Sequence, residues 1–206
     1  EYTTNIDLGV RHRSVDGRLR IGANIFYTGW RDQQLEVPSG SGLPGDNIIA
    51  NVGRSESYGL ALEADYLASD RLRLFGALGL LQTEIKETDV SNSALVGNEF
   101  TYAPETTISL GGRYDFDNGF DVSLAANWRG SYFSDAANSS IDEVGSRWLV
   151  DAGVGYDIAD RARVELTVTN LFDEDYINQS SRAVTLVNPG GLVAPGAGRQ
   201  INLSLT

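Results

Sequence analysis

Nine stretches of this chain alternate apolar and polar residues with a period of two. No other feature limits the fold as tightly, because successive side chains of a β-strand point to opposite faces. In the first stretch Ile6, Leu8 and Val10 oppose Asn5, Asp7, Gly9 and Arg11. In the second, Leu19, Ile21, Ala23, Ile25 and Tyr27 oppose Arg18, Arg20, Gly22, Asn24 and Thr28. The same pattern predicts strands over 58–66, 71–80, 107–116, 120–129, 148–157, 162–169 and 200–206. Every one has an apolar face of Leu, Ile, Val, Ala and aromatic residues and a polar face rich in Gly, Arg, Asp, Ser and Thr.

The connections alternate as well. Short turns are predicted at Val15-Asp16-Gly17, Ser69-Asp70, Asp117-Asn118-Gly119 and Ala159-Asp160. Such residues tolerate the positive φ that tight hairpin turns require. Between them lie long polar loops over 38–55, 87–103, 134–146 and 177–197. Short turns at one end and long loops at the other are the asymmetry of a transmembrane β-barrel. The aromatic residues of the apolar face sort the same way. Tyr66, Tyr114, Phe116, Phe120 and Tyr156 lie beside short turns, and Tyr27, Tyr58, Trp128 and Trp148 beside long loops. Two aromatic girdles fit two membrane interfaces, whereas a soluble sandwich has no reason to sort aromatics to both strand ends.

Composition agrees. Only 41% of residues are hydrophobic, and no run approaches the ~18 apolar residues of a spanning helix. The chain has no cysteine, which excludes disulfides and thiolate metal sites. A net charge of -12 argues against a nucleic-acid partner, whose phosphates it would repel. Nine strands leave the first and last with unpaired edges, which hydrocarbon does not tolerate. The chain is therefore expected to be a portion of a larger barrel. No charged-then-apolar leader precedes the strands, which points the same way.

Chemistry-bearing groups are sparse. Glu63 and Asp65 share a polar face, but beside Arg71 and Arg73 they read as wall ion pairs rather than an acid–base pair. His12 is the single histidine and cannot anchor an imidazole metal site alone. Glu87, Asp89 and Glu99 are carboxylates of one loop without the ligand spacing of a calcium site. Asn138-Ser139-Ser140 and Asn178-Gln179-Ser180 are glycosylation sequons with no meaning in a bacterial envelope. Polar-face Arg11, Arg20, Arg73, Arg113, Arg129 and Arg163 interleave with Asp7, Asp65, Asp115, Asp121, Asp151 and Glu165, a pattern for cross-strand pairing. No catalytic site and no cofactor is expected.

Longer motifs carry a resemblance. Residues 168–176 read Val-Thr-Asn-Leu-Phe-Asp-Glu-Asp-Tyr, followed by Gly198-Arg199 and a last alternating strand. Residues 51–63 read Asn-Val-Gly-Arg-Ser-Glu-Ser-Tyr-Gly-Leu-Ala-Leu-Glu, and Val96 to Glu105 carry a Gly-Asn…Ala-Pro strand start. In this order they resemble the C-terminal part of the barrel of TonB-dependent outer-membrane receptors. The resemblance marks Asn170, Leu171, Phe172, Asp173, Tyr176, Gly198 and Arg199 as the family motif. It implies an all-β architecture: a meandering antiparallel segment of a transmembrane barrel of about 22 strands, with residues 1–206 forming the C-terminal part of the barrel domain. The resemblance places the plug and the segment that contacts TonB outside these residues. The implied function is TonB-dependent uptake, most commonly of a ferric siderophore. Cobalamin or a saccharide is the alternative cargo, and a small standalone structural barrel is the other reading. Outer-membrane lipid, the plug and TonB are the implied partners. Phe100, Tyr102, Tyr132, Phe133 and Asn138, aromatic or polar groups near strand mouths, are the candidate ligand contacts.

Overall fold

The computed structural model describes residues 1–39, 41, 47–88, 94–158, 161–181 and 191–206. The strands are β1 (Tyr2–Arg13), β2 (Leu19–Pro38), β3 (Asn47–Leu67), β4 (Leu72–Glu87), β5 (Thr106–Asp115), β6 (Phe120–Arg129), β7 (Tyr132–Phe133), β8 (Glu143–Val144), β9 (Arg147–Ile158), β10 (Ala162–Thr169), β11 (Ile177–Ser181), β12 (Leu192–Pro195) and β13 (Gln200–Leu205). Nine of them form one sheet in the order β1-β2-β3-β4-β5-β6-β9-β10-β13. All nine predicted strands are present, and every neighbouring pair is antiparallel. The far edges of β1 and β13 carry no partner strand among the described residues, so the sheet is not closed.

The register keeps the two faces separate. One apolar row crosses the sheet as Leu8, Ile25, Leu60 and Leu80, and another as Val122, Val154, Leu166 and Leu203. A polar row crosses as Arg113, Ser123, Gly153, Thr167 and Asn202. Because the period is two, a slip of one residue anywhere would bring charge onto the apolar face. That face is covered by nothing: Leu8, Leu124 and Leu203 are 65%, 54% and 73% exposed. The buried apolar side chains Ile85, Leu95, Tyr132, Ala136 and Val144 lie instead at the long-loop end. Among the described residues the sheet buries no apolar core of its own, and its apolar face has the composition of a lipid-facing band. The girdles flank it. Trp128 and Trp148 are cross-strand partners at 6.4 Å, as are Phe120 and Tyr156 at 4.4 Å at the opposite end.

These faces make opposite demands on neighbouring residues. Leu166→Arg places a cation in the lipid-facing band and should cost about 3 kcal/mol. Thr167→Arg, one residue on, should change stability by less than about 1 kcal/mol, since it joins a polar wall. Urea titration of the receptor carrying this chain, refolded in lipid, measures both. Equal losses would mean that the two faces are not differently solvated.

Strands run into two of the predicted long loops, 38–55 and 87–103. Residues 31–38 and 47–54 continue β2 and β3, with the ladder running to Pro38 opposite Asn47. β4 likewise runs past Leu80 to Glu87. Strands of 20, 21 and 16 residues exceed the ~9–11 that cross a bilayer, so this group projects past the girdle. Both faces meet water there, the apolar period disappears from the sequence, and the hydrogen-bond ladder persists. The other two loops hold small sheets, β7 with β8 and β11 with β12.

At the opposite end, Gly17 (φ 73°) and Gly119 (φ 82°) close tight turns as predicted. Ser14 fastens the first by accepting from Leu19 N at 2.9 Å. The Ala159-Asp160 turn lies outside the described residues. The polar face carries the expected ion pairs. Arg73 pairs with Asp65, and Arg113 and Arg163 share the buried Asp121. Arg71 instead reaches Asp117. Phe75, on the polar face, lies over Gly111, where no Cβ would fit.

Candidate functional site: the mouth of the polar face

The dipeptides Trp128-Arg129 and Arg147-Trp148 are mirror images in sequence. Antiparallel pairing of β6 and β9 sets Trp128 opposite Trp148 and Arg129 opposite Arg147. The tryptophans face the apolar side, so the arginines face the polar side one step beyond the girdle. Like charges directly opposite one another are destabilising, and among the described residues no carboxylate forms an ion pair with either. The described ion pairs use Arg18, Arg54, Arg71, Arg73, Lys86, Arg113, Arg163 and Arg199, and neither Arg129 nor Arg147.

Aromatic rings and carbonyls hold the pair instead. The guanidinium of Arg147 lies 4.4 Å from the Tyr176 ring centroid and donates to Ile177 O at 3.2 Å and Asn178 Oδ1 at 3.0 Å. That of Arg129 lies 5.8 Å from the Tyr132 ring. These contacts engage the cations without neutralising them in an ion pair. Arg129 remains exposed and Arg147 half-buried. Tyr132 is buried, and its hydroxyl donates to Asn178 O at 2.8 Å, tying β7 to β11. Tyr102 stands 6.3 Å from Tyr132, about half exposed, with positive φ (59°) and its N–H on Phe133 O.

A small platform supports this mouth. Ile85, Leu95 and Ala136 form its buried centre, with Leu35, Ala50 and Phe100 packed around it. The Asn138 amide joins two of its loops. Its Oδ1 accepts from Glu99 N at 2.6 Å, and its Nδ2 donates to Glu99 O at 3.1 Å and Asp135 O at 3.3 Å. Ser180 joins a third loop, donating to Asp142 Oδ1 and, from its N–H, to Ser134 Oγ, both at 3.0 Å.

Behind the mouth, the motif residues converge as one turn. Asn170 is buried with φ 51°. Its N–H donates to Asp151 Oδ1, its Nδ2 to Glu174 O and Ala197 O, and its Oδ1 accepts from Glu174 N. Asp173 (φ 57°) accepts the Arg199 N–H at 2.7 Å. Tyr176 packs where a Cβ on Gly196 would have to sit. Gly198 lies beside Asp173, while Phe172 is exposed at the surface. Leu171 supplies a carbonyl to Arg199.

Of the five candidate contacts, Tyr102, Tyr132 and Phe133 are thus brought together at the mouth. Phe100 packs into the platform, and the Asn138 amide is spent on loop backbone. Sequence reasoning passed over Arg147, and it marked Tyr176 only as a motif residue and Asn178 only as part of a sequon; the mirrored Trp-Arg dipeptides were the available signal for the first. His12 lies on the apolar side, opposite Ile21. Glu87 pairs with Arg54 at 3.3 Å, Asp89 lies outside the described residues, and no acidic group among the described residues is arranged to hold a metal ion.

Burial, with the nearby Glu105 and Glu143 charges, raises the Glu99 carboxyl above its ordinary 4.5. Burial likewise raises Asp135 above 3.8. A raised carboxylate pKa means that the folded loop binds protons more tightly than the unfolded one, so stability falls as pH rises through that window. The platform should therefore resist protease better near pH 5 than at pH 8. Glu99→Gln should flatten the difference; an equal pH response in that variant would remove Glu99 as its source.

The family described as TonB dependent receptor-like, beta-barrel, matches residues 1–171. The metal-pseudopaline receptor CntO of Pseudomonas aeruginosa is 28% identical over 205 residues, covering 97% of this chain and 27% of its own length. The pesticin receptor of Yersinia enterocolitica is 29% identical, covering 94% of this chain and 28% of its own length. The chain thus spans a little over a quarter of these relatives. Among solved structures, the ferric yersiniabactin uptake receptor FyuA from Yersinia pestis superposes with a TM-score of 0.79 at 20% identity, over 98% of this chain and 29% of that one. The copper transporter OprC superposes at 0.77 with 14% identity, over 98% and 30%. At these identities the superpositions speak to the fold.

Proposed function

Because the chain belongs to the TonB-dependent receptor β-barrel family, we propose that it supplies barrel wall and outward-facing loops to an outer-membrane receptor that takes up an anionic metal complex of the ferric siderophore class. Transport rather than catalysis is the reading. The Arg129–Arg147 pair carries it: two fixed guanidiniums at the mouth, without carboxylate partners, suit a ligand that brings its own oxyanions. Tyr102 and Phe133 flank that position as aromatic contacts for the ligand's body. The names of relatives agree in class, a metal-pseudopaline receptor and, in Escherichia coli, the catecholate siderophore receptor Fiu. Residues 1–206 act as the C-terminal part of the barrel domain, while a plug and the TonB contact belong to the rest of the receptor. The open edges of β1 and β13 are where its remaining strands would join.

Deleting the complete receptor gene and supplying radioactive iron as catecholate, hydroxamate or carboxylate complexes tests the reading. Uptake of one class should fall to background and return with the intact gene. Unchanged iron uptake with every class, together with loss of cobalamin or oligosaccharide uptake, would replace it with the other cargo.

A further inference from the structure

Among the described residues the polar face carries three cross-strand arginine pairs. Arg73 opposes Arg113 near the short-turn ends of the mid-sheet strands β4 and β5, Arg129 opposes Arg147 at the mouth, and Arg13 opposes Arg20 beside the first short turn. The mid-sheet pair shows how such a pair is normally neutralised: Arg73 lies on Asp65, and Arg113 on Asp115 and Asp121. The pair beside the turn has no such relief. Arg20 is the cross-strand partner of Asp65, but Asp65 Oδ2 already accepts from Arg73 at 2.8 Å and 2.5 Å. In the next row stands Arg11, opposite Gly22, with Glu63 leaning over that glycine. Arg11, Arg13 and Arg20 are exposed and enter no described ion pair. They line, with Glu63, a depression of about 550 Å³. The ion-paired Arg73 and Asp65 line it too, which leaves three guanidiniums and Glu63 outside the described ion pairs, in a chain whose net charge is -12.

A second depression, about 810 Å³, extends from this cluster toward the mouth. It runs from Thr107, the cross-strand partner of Arg129, through Gly79, Ala77 and Ala61 to Gly22 and Arg11. Arg11 and Glu63 are the charged groups of its lining, and Gly79, Ala77 and Ala61 keep its floor low.

We propose that Arg11, Arg13 and Arg20 form a second anion site at the short-turn end of the wall, taking the oxyanion groups of the complex after it leaves Arg129 and Arg147. This rests on the uptake reading above. The site's own signature is a positive potential open to solvent, which focuses anions into a low-dielectric cleft. A carboxylate-rich segment from elsewhere in the receptor would cancel that potential, so one measurement separates the two occupants.

Ala77 lines both depressions. In the full-length receptor, made otherwise thiol-free, Ala77→Cys is treated at low salt with a sulfonate-bearing and then a trimethylammonium-bearing methanethiosulfonate. The anionic reagent should react about 10-fold faster, within the range that charge focusing allows. The preference should vanish in Arg13→Gln/Arg20→Gln and shrink in 1 M salt, where screening is short-ranged. Arg11→Gln alone should reduce it partway and serves if the double variant folds poorly. Surface capture of the iron complex should stay within twofold in all these variants while its transit slows several-fold. No anionic preference, no reaction with either reagent, or a preference unchanged by the arginine substitutions would each overturn the site. Loss of surface capture in the unsubstituted receptor would instead count against the uptake reading, leaving the thiol result to stand for itself.

Discussion

Asn170→Ala should destabilise the receptor by about 4–5 kcal/mol. The residue is buried, sits at φ 51°, and makes three side-chain hydrogen bonds to the backbone of Glu174 and Ala197. Alanine abolishes all three, each worth about 1 kcal/mol net and more where a buried partner is left unpaired. It must also hold a left-handed backbone, at roughly 1–2 kcal/mol. Asn170→Asp keeps the acceptor and tolerates the backbone, so about half of the loss should return. Loss of the heat-resistant compact form on semi-native gels measures both. Asn170→Ala melting with the parent would show that the turn does not hold Tyr176 and Arg199 in place.

On the proposed uptake reading, Arg129→Gln/Arg147→Gln should weaken capture of the anionic complex by roughly 100-fold or more, since each charge-assisted hydrogen bond to an oxyanion contributes about 1.5–3 kcal/mol. Melting should move little or upward, because a like-charged cross-strand pair has been removed. Parent affinity should fall as salt is raised and that of the double variant should not, which separates lost charge from altered shape. Lysine at both positions keeps the charge but loses the planar fork, and should recover only part of the affinity. Capture indifferent to the glutamines would dismiss the mouth pair as the anion contact.

The fold was legible wherever the chain meets two different solvents. Lipid on one side and water on the other impose a period of two, and the nine wall strands follow from it to within a few residues at most boundaries. The reading stopped where that difference stops. Gln33-Gln34-Leu35-Glu36 looks like loop because both faces are wet, yet it remains in the ladder opposite Asn51, Ala50 and Ile49. The mouth was half legible. Aromatic residues near strand ends drew attention to Tyr102, Tyr132 and Phe133, but Asn138 looks the same in sequence whether its amide points at a ligand or closes a loop. Only the three bonds to Glu99 and Asp135 decide that. Arg147 escaped because the consequence of placing it opposite Arg129 depends on register.

The strand order of the sheet has a kinetic consequence. Each wall strand adjoins the next wall strand in the chain, without a crossover. Loop closure costs grow with separation, and here each new strand closes only onto the strand just made. Assembly can therefore advance as a zipper, from either end, each completed hairpin presenting the edge that aligns its successor. A misregistered strand is then penalised at once by charge on its apolar face, before the following strand is laid down.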